Sequence, residues 1–154
     1  MRYDYFGSNS SAVVSNTIAR TTLDLNKNVA HVYGNTITNP TVSSGQCPYN
    51  LYIFCFNNYG STGFFAKYKL YSCQIYDNDV LIRDFIPVLD YNGVACLFDK
   101  VKKKFYYNQG TGTFAWKAKD GEIPYAEELQ YIESTGTQWI DTGFKNNNNS
   151  RIVV

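Results

Sequence analysis

Charged residues are scarce in this chain. Lysine, arginine, aspartate and glutamate make up 18% of the 154 residues, and the formal net charge is +1, whereas about a quarter of an average soluble domain is charged. A nearly neutral chain has no long-range field to attract nucleic acid or an anionic membrane surface. The sequence also lacks an apolar run long enough for a transmembrane helix. We therefore expect neither nucleic-acid binding nor membrane insertion.

Metal ligands and reactive thiols are also few. His31 is the sole histidine, and none of the four cysteines stands in a CxxC pair. Because a tetrahedral zinc site draws its ligands from short chelating pairs, the sequence predicts no zinc. His31 follows an alanine in a hairpin strand, which is more typical of a partly buried packing residue than of a catalytic base. We expect three cysteines to be small apolar side chains inside strands rather than disulfide partners, namely Cys55, Cys73 and Cys96.

The carboxylates are placed poorly for catalysis. Glycoside hydrolysis needs two of them roughly 5–10 Å apart, but all four glutamates crowd into residues 122–133 and no Glu-x-Asp-x-Glu strand occurs. Three glycine-containing strings, YGSTGFF, QGTGTF and ESTGTQW, lack the Gly-Lys-Ser/Thr ending and the helix of a phosphate-binding loop, so we interpret them as turns. The chain is expected not to be an enzyme, with a glycoside hydrolase as the alternative to be tested.

Aromatic residues, in contrast, are abundant, with 14 tyrosines and an aromatic fraction of 17%. Tyrosine and phenylalanine alternate with polar residues in many short segments, which is typical of strands with one half-buried face. We predict a hairpin within 17–38, two long strands at 64–77 and 80–89 joined by a tight turn, and further short strands to the end of the chain. About a dozen strands imply one all-β domain of two packed antiparallel sheets.

Three segments depart from simple alternation of apolar and polar residues. Residues 51–56 are almost continuously apolar, which favours a central strand covered on both faces. Pro87 removes a backbone donor, so we place it at a sheet edge or a bulge. A helix of one or two turns is expected only at 124–130, where proline suits the first turn and Glu127 and Glu128 suit its positive end.

Three stretches resemble a known family. The string LQYIESTGTQWIDTGF at 129–144 resembles the opening of laminin-G-like, concanavalin-type jelly-roll modules in surface and tail proteins of gut bacteria and their phages. Residues 69–114 resemble the closing third of such modules, and residues 21–37 their middle hairpin. The resemblance implies a jelly-roll sandwich that serves as a non-catalytic recognition or adhesion module, binds glycan or protein, and lies outside the cell on a bacterial surface or a phage virion.

The order of these stretches is rotated, because the opening string follows the closing one. The chain is then a circular permutant, a tandem array cut out of phase, or a module whose last strands complete the next molecule. We divide it into a sandwich body at 1–120 and opening strands at 121–154, which belong to the same module or to the next. The alternative function is a structural repeat that assembles head to tail by strand exchange into a fibre, tail or shell. The expected assembly strand comprises Arg151, Ile152, Val153 and Val154.

Candidate ligand-binding residues are chosen by the usual composition of sugar sites, in which aromatic rings stack on the sugar and amides form hydrogen bonds with its hydroxyls. The aromatic candidates are Tyr59, Trp116 and Trp139, and the amide candidates are Asn57, Asn58 and Gln138. We expect no cofactor and assign no metal site. Related sandwiches bind calcium at rim loops, and the nearest candidates here for such a site are Asp77, Asn78 and Asp79.

The lysine-rich segment at 100–104 stands beside three aromatic residues at 105–107. Such a combination has the ingredients of an electrostatic and stacking surface. We interpret it instead as a solvated turn followed by aromatics that alternate into the sandwich.

Overall fold

The chain forms an all-β structure. A computed structural model describes residues 3–5, 8–10, 20, 22–26, 29–32, 35–38, 45–118 and 127–154. These residues form seventeen strands and no helix, and within them no helical segment has the length and hydrophobicity that a membrane crossing requires. The strands are β1 Tyr3–Tyr5, β2 Ser8–Ser10, β3 Leu23–Asn26, β4 Val29–Val32, β5 Asn35–Thr38, β6 Tyr52–Ile53, β7 Phe56–Asn58, β8 Ser61–Gly63, β9 Lys69–Leu70, β10 Cys73–Asp77, β11 Val80–Leu89, β12 Ala95–Asp99, β13 Lys104–Tyr106, β14 Ala115–Ala118, β15 Glu127–Glu133, β16 Ile140–Asp141 and β17 Ser150–Val153.

One large antiparallel sheet runs in the order β13-β12-β11-β10-β17-β3-β4-β5. The last strand of the chain, β17, lies inside this sheet rather than at its edge. It pairs with β10 through Ile152 and Ile75, and with β3 through Ile152 and Leu25. The expected assembly strand is therefore paired on both sides within its own chain.

A smaller set of strands branches from the large sheet through β15. The start of β15 pairs with the end of β11, at Val88 and Glu128. The rest of β15 pairs with β14 on one side and with β9 on the other. Three separate two-stranded units complete the fold, namely β1 with β2, β6 with β16, and β7 with β8. The described structure thus consists of antiparallel sheets, one large and several small.

The main core is one cluster of buried side chains from the large sheet, from β15 and from the small β6–β16 unit. Ile75 and Phe85 of the large sheet, Ile132 of β15 and Ile140 of β16 are all fully buried in one cluster. Burial of each such side chain contributes about 1.5–3 kcal/mol. The opposite face of the large sheet carries a second, smaller cluster around Val88.

Most predicted hairpins are confirmed, because each depends on local turn chemistry. In the β10–β11 turn, Asn78 and Asp79 both have positive φ angles, 50° and 62°, and Asp77 pairs with Val80. Two consecutive positive φ angles define the type I′ turn that matches the twist of paired strands. The β3–β4 pair lies within the hairpin predicted at 17–38. The pairs β11–β12 and β12–β13 are also antiparallel neighbours.

The predicted strand at 51–56 is wrong. Tyr52 and Ile53 form β6, which pairs with β16 in a two-stranded unit, and Phe56 begins β7, which pairs with β8. Phe54 has a φ of 73° and is 2% exposed, so the chain turns there while its ring remains in the core. The long strand predicted at 64–77 is likewise divided, into β9 and β10.

Pro87 lies at neither an outer edge nor a bulge. Lys100 N donates to Asp84 O and Asp90 N donates to Val94 O, so the even-numbered backbone groups of β11 face β12. The odd-numbered groups, those of Pro87 included, face the opposite side. On that side the β10 pairing ends at Phe85, and the β15 pairing starts at Val88. The missing donor therefore falls in the gap between two partner strands.

The predicted helix at 124–130 is also corrected. Residues 127–130 belong to β15, and residues 124–126 lie outside the described part of the chain. Pairing of β15 with three other strands outweighs a weak helix propensity that depends only on a proline and two acidic residues.

Asp90 closes the turn that follows β11. Its Oδ1 accepts hydrogen bonds from the backbone N–H groups of Val94 and Asn92, each at 2.9 Å, and its Oδ2 accepts one from the Tyr107 hydroxyl at 3.0 Å. These bonds, led by the one from Val94, hold the pKa of the Asp90 carboxyl below its usual value of 3.8. Burial and the Asp90 carboxylate raise the pKa of Tyr107 to about 12.

The charge of Asp90 should therefore make stability depend on pH. Because its pKa is lower in the folded chain, the carboxylate stabilises the fold fully above pH 3.8, and this contribution is lost as the pH falls through the folded pKa. We expect Asp90→Asn to lower the urea midpoint at pH 7 and to converge with the wild type at a pH below the folded pKa. Tyr107→Phe should cause a smaller loss. A difference between Asp90→Asn and wild type that does not change with pH would contradict this account.

Candidate functional site

Three glycine-containing strings that are far apart in sequence meet at one open groove. Each string, 59–65, 109–114 and 133–139, supplies part of the lining. The groove has a volume of about 470 Å³ and is lined by Thr62, Phe65, Gln109, Gly110, Thr111, Gly136, Thr137 and Trp139. The strings at 109–114 and 134–139 form turns as predicted, whereas the string at 59–65 holds the turn at Tyr59 and Gly60 and then strand β8. The sequence contains no signal that the three strings meet.

Asn108 joins two of these strings. Its Oδ1 accepts from the backbone N–H of Gly110 at 2.8 Å and from that of Trp139 at 3.1 Å. Its Nδ2 donates to Gly112 O at 2.9 Å. The backbone N–H of Gln109 also donates to Trp139 O at 2.9 Å. Trp139 is thereby fixed relative to the 109–114 loop by main-chain bonds.

Gln138 supports the same junction from inside. It is 1% exposed, and its Oε1 accepts from the backbone N–H and hydroxyl of Thr135 and from the hydroxyl of Ser134. Its Nε2 donates to Thr113 O at 3.2 Å. The amide that we considered for ligand binding is thus occupied within the chain. It holds the loop that presents Thr137 and Trp139.

Gly110 is required by the close approach of the two loops. A Cβ placed on Gly110 would overlap the carbonyl oxygen of Thr137 and would lie 3.0 Å from Cδ1 of Trp139. The Thr137 hydroxyl also donates to Thr111 O at 2.9 Å. The 109–114 and 133–139 strings are therefore in direct contact at the groove.

Two aromatic residues, Trp139 and Phe65, line the groove. Trp139 packs against Tyr52, with ring centroids 4.2 Å apart and planes 40° apart. Phe65 is 40% exposed. The groove thus combines two aromatic rings with the hydroxyl groups of three threonines and the amide of Gln109, and none of its lining residues carries a carboxylate.

Three further candidates for ligand binding, Asn57, Asn58 and Tyr59, lie on the β7–β8 hairpin. Tyr59 and Gly60 form its turn with φ angles of 52° and 92°. Tyr59 is 82% exposed and contacts the edge of Tyr49, with ring centroids 5.9 Å apart. The Asn57 amide donates to Asn50 O and accepts from Gly60 N, so it stabilises the turn. Asn58 is exposed beside it.

Trp116 lies away from the groove. It is in β14, opposite Ile132 of β15, and is 45% exposed. It is not among the residues that line either groove. Of the predicted aromatic residues, the structure therefore places Trp139 in the groove, Tyr59 on the adjacent hairpin and Trp116 elsewhere.

The calcium candidates and the assembly strand make internal contacts. Asp77 Oδ1 accepts from the Asn147 and Asn78 side-chain amides, so the 77–79 turn is tied to the loop before β17. In the described residues no three His, Cys, Asp or Glu side chains gather as metal ligands would. Arg151 in β17 forms a two-bond ion pair with Asp24, at 2.9 and 2.7 Å.

The structure shows the burial and contacts of the four cysteines and of His31. All four cysteines are free thiols, and Cys73 and Cys96 are buried in strands as expected. Burial raises the pKa values of Cys55, Cys73 and Cys96 to about 12, which keeps these thiols protonated. His31 is exposed rather than partly buried, and its Nδ1 lies 3.0 Å from the Thr36 hydroxyl.

A second groove shares one lining residue, Gln109, with the first. It has a volume of about 540 Å³ and is lined by Arg83, Lys104, Phe105, Tyr106, Tyr107, Gln109, Asp141 and Gly143. The sequence predicts a solvated turn at 100–104 and strand aromatics at 105–107 rather than a groove. The adjacency of lysine and aromatic residues at 100–107 was the signal that could have pointed to this groove.

Comparison with known proteins identifies no relative. No protein-family model, no curated protein and no solved structure matches the chain.

The contact at Gly110 leads to a specific prediction. Gly110→Ala should lower the free energy of unfolding by about 1–3 kcal/mol, because the added methyl group forces the two loops apart. Gly63→Ala is the matched control, since a Cβ there meets nothing within 4 Å. Urea unfolding followed by tryptophan fluorescence measures both variants. Equal stability of the two alanine variants would show that the loops are not packed as described.

Proposed function

We propose that this chain is a non-catalytic carbohydrate-recognition module. The observation that carries the proposal is one groove lined by three separate segments of the chain, with two aromatic residues, three threonines and Gln109 in its lining. Sugar rings present apolar C–H faces and polar hydroxyls, and sites that combine aromatic faces with a few fixed polar groups suit them. Glycoside hydrolysis ordinarily uses two carboxylates, and none of the residues that line this groove carries one.

The fixed geometry of the groove also supports binding. Asn108, Gln138 and the Gly110 contact hold the loops in place before any ligand arrives. Preorganised groups lose less conformational freedom on binding, so more of the contact energy is available as affinity. A sugar ligand makes few strong contacts, so a rigid site is important for its affinity.

The wider context of the proposal rests on the family resemblance. We propose that the strands branching through β15, together with the small β6–β16 unit, make the second layer of a jelly-roll sandwich. A module of that kind would act outside the cell, on a bacterial surface or a phage virion. The buried cluster shared by β10, β11, β15 and β16 supports the layered arrangement.

A glycan array with the wild-type chain tests the recognition proposal, followed by calorimetry with the best ligand. Phe65→Ala should weaken binding roughly tenfold, because it removes one stacking face. Phe65 is 40% exposed, so the variant should keep its fold. Trp139→Ala should weaken binding at least as much.

Trp116→Ala is the matched control, since it removes an exposed tryptophan outside the groove. Its affinity should equal that of the wild type. No binding by the wild-type chain across microbial, plant and animal glycans would refute the proposal. Loss of affinity in Trp116→Ala but not in Phe65→Ala would refute the location of the site.

Strand exchange is the second candidate, because the slot that a donated strand would fill is well defined. β17 occupies the position between β10 and β3, and its Arg151 pairs with Asp24 across 127 positions of the chain. A neighbour's residues 150–153 would fill the same slot by the same contacts. In that case the chain would serve as a structural repeat.

Molecular mass in solution distinguishes the two candidates. If β17 pairs within its own chain, light scattering should give 17.5 kDa at every protein concentration. A multiple of that mass that persists on dilution would instead favour exchange, since swapped strands separate only when the sheet opens.

A further inference from the structure

One face of the strands β9, β15 and β14 carries two lysines beside a tyrosine. Glu133 of β15 pairs with Lys69 of β9, and Tyr131 of β15 pairs with Lys117 of β14. Residues directly opposite in an antiparallel pair lie on the same face, and so do residues two apart in one strand. These four side chains therefore share one face, whereas the fully buried Ile132 lies on the other.

Two tyrosine rings hold cations on this face. Tyr71 and Tyr131 contact each other, with ring centroids 5.5 Å apart. The Arg20 guanidinium lies 4.2 Å from the centre of the Tyr71 ring, and Lys69 Nζ lies 4.5 Å from the centre of the Tyr131 ring. Contacts thus run in series from one cation through two rings to a second cation. Because each ring restricts the cation beside it, less freedom is lost when a ligand binds.

The cations here outnumber the carboxylates. Glu133 lies 3.9 Å from Lys69 and balances that charge. In the part of the chain that the structure describes, no carboxylate lies within ion-pair distance of Arg20 or Lys117. The other glutamates of β15 pair with the end of β11, roughly 10 Å along the strand from Tyr131. Two positive charges therefore remain for a ligand.

The cations are also accessible. Arg20 and Lys117 are exposed, and the side chain of Lys69 is 44% exposed. Among the described residues, the Arg20 guanidinium has its ring contact but no hydrogen-bond acceptor. A guanidinium over a ring keeps N–H donors at its edge, and two of them can bind one carboxylate or sulfate together.

We infer that the basic face, defined by Arg20, Lys69 and Lys117, binds an acidic polysaccharide. Arg20 binds one anionic substituent through two hydrogen bonds, and the lysines contact others. The inference rests on the proposed carbohydrate recognition and names its ligand class, and the shared chemistry is a carboxylate or a sulfate on a sugar. Separate cations on a sheet face suit a polymer with repeated charges, since several contacts then form without a further loss of translational freedom.

Three polymers with one backbone test the inference. Dextran, carboxymethyl-dextran and dextran sulfate of equal length carry no anion, a carboxylate and a sulfate. By calorimetry at low salt, we expect at least one charged polymer to bind roughly tenfold more tightly than dextran, in keeping with one charge-assisted hydrogen bond. The preference should shrink as the salt concentration rises. The charged polymer that binds more tightly identifies the anion.

Arg20→Gln and Lys117→Gln should each weaken binding of that polymer roughly threefold to tenfold. Arg20→Lys keeps the charge but loses the paired donors, so it should restore only part of the affinity. Lys102→Gln is the matched control for Lys117→Gln, because it removes the same charge from an exposed turn between β12 and β13. It should bind as the wild type does.

The outcomes separate the two proposals. If the wild type binds a neutral glycan but shows no preference for either charged dextran, the basic face is overturned and carbohydrate recognition stands. An equal loss of affinity in Lys102→Gln and Lys117→Gln would also overturn it, since the effect would then be one of general charge. Tighter binding of poly-glutamate than of carboxymethyl-dextran at equal charge would overturn the assignment to a polysaccharide and favour an acidic peptide. Failure to bind any glycan, charged or neutral, would overturn both proposals.

Discussion

The fold depends on the pairing of residues 127–154 with the rest of the chain. β15 continues the large sheet at β11 and then carries β14 and β9, so the second set of strands is attached through this one strand. β17 joins the β3–β5 group to the β10–β13 group. β16 pairs with β6, and its buried Ile140 contributes to the core. Without this segment the sheet would divide in two and the core would lose one wall.

The local parts of this arrangement could be predicted from sequence, and the long-range parts could not. Asn78 and Asp79 tolerate positive φ, so these two residues are enough to predict the β10–β11 turn. The insertion of β17 between β10 and β3 leaves no such mark, because alternation of apolar and polar residues shows which face is buried but not which strand is the partner. The same limit explains why turns could be predicted in the three glycine-containing strings, although their convergence on one groove could not.

The errors also have a common physical cause. A continuous apolar run at 51–56 indicates burial, yet burial of Phe54 is achieved at a turn with a φ of 73° rather than in a strand. Pro87 has no backbone N–H, and on the side where that group would point no strand is paired with it. Gln138 was considered as a ligand-binding amide, but a buried amide must first satisfy its own hydrogen bonds, which it does within the 134–139 loop and at Thr113. In each case the tertiary partner decided the role that residue type alone left open.

The position of the groove connects the two candidate functions. Its lining comes partly from the body of the chain, at Thr62, Phe65 and Gln109, and partly from the C-terminal segment, at Thr137 and Trp139. If that segment paired with a neighbour, the bonds of Asn108 to Trp139 and of Gln138 to Thr113 would form between chains. Each groove would then be complete only in the assembly. Recognition and assembly are therefore physically compatible on this fold, because an exchanged strand set would rebuild the same groove from two copies of the chain.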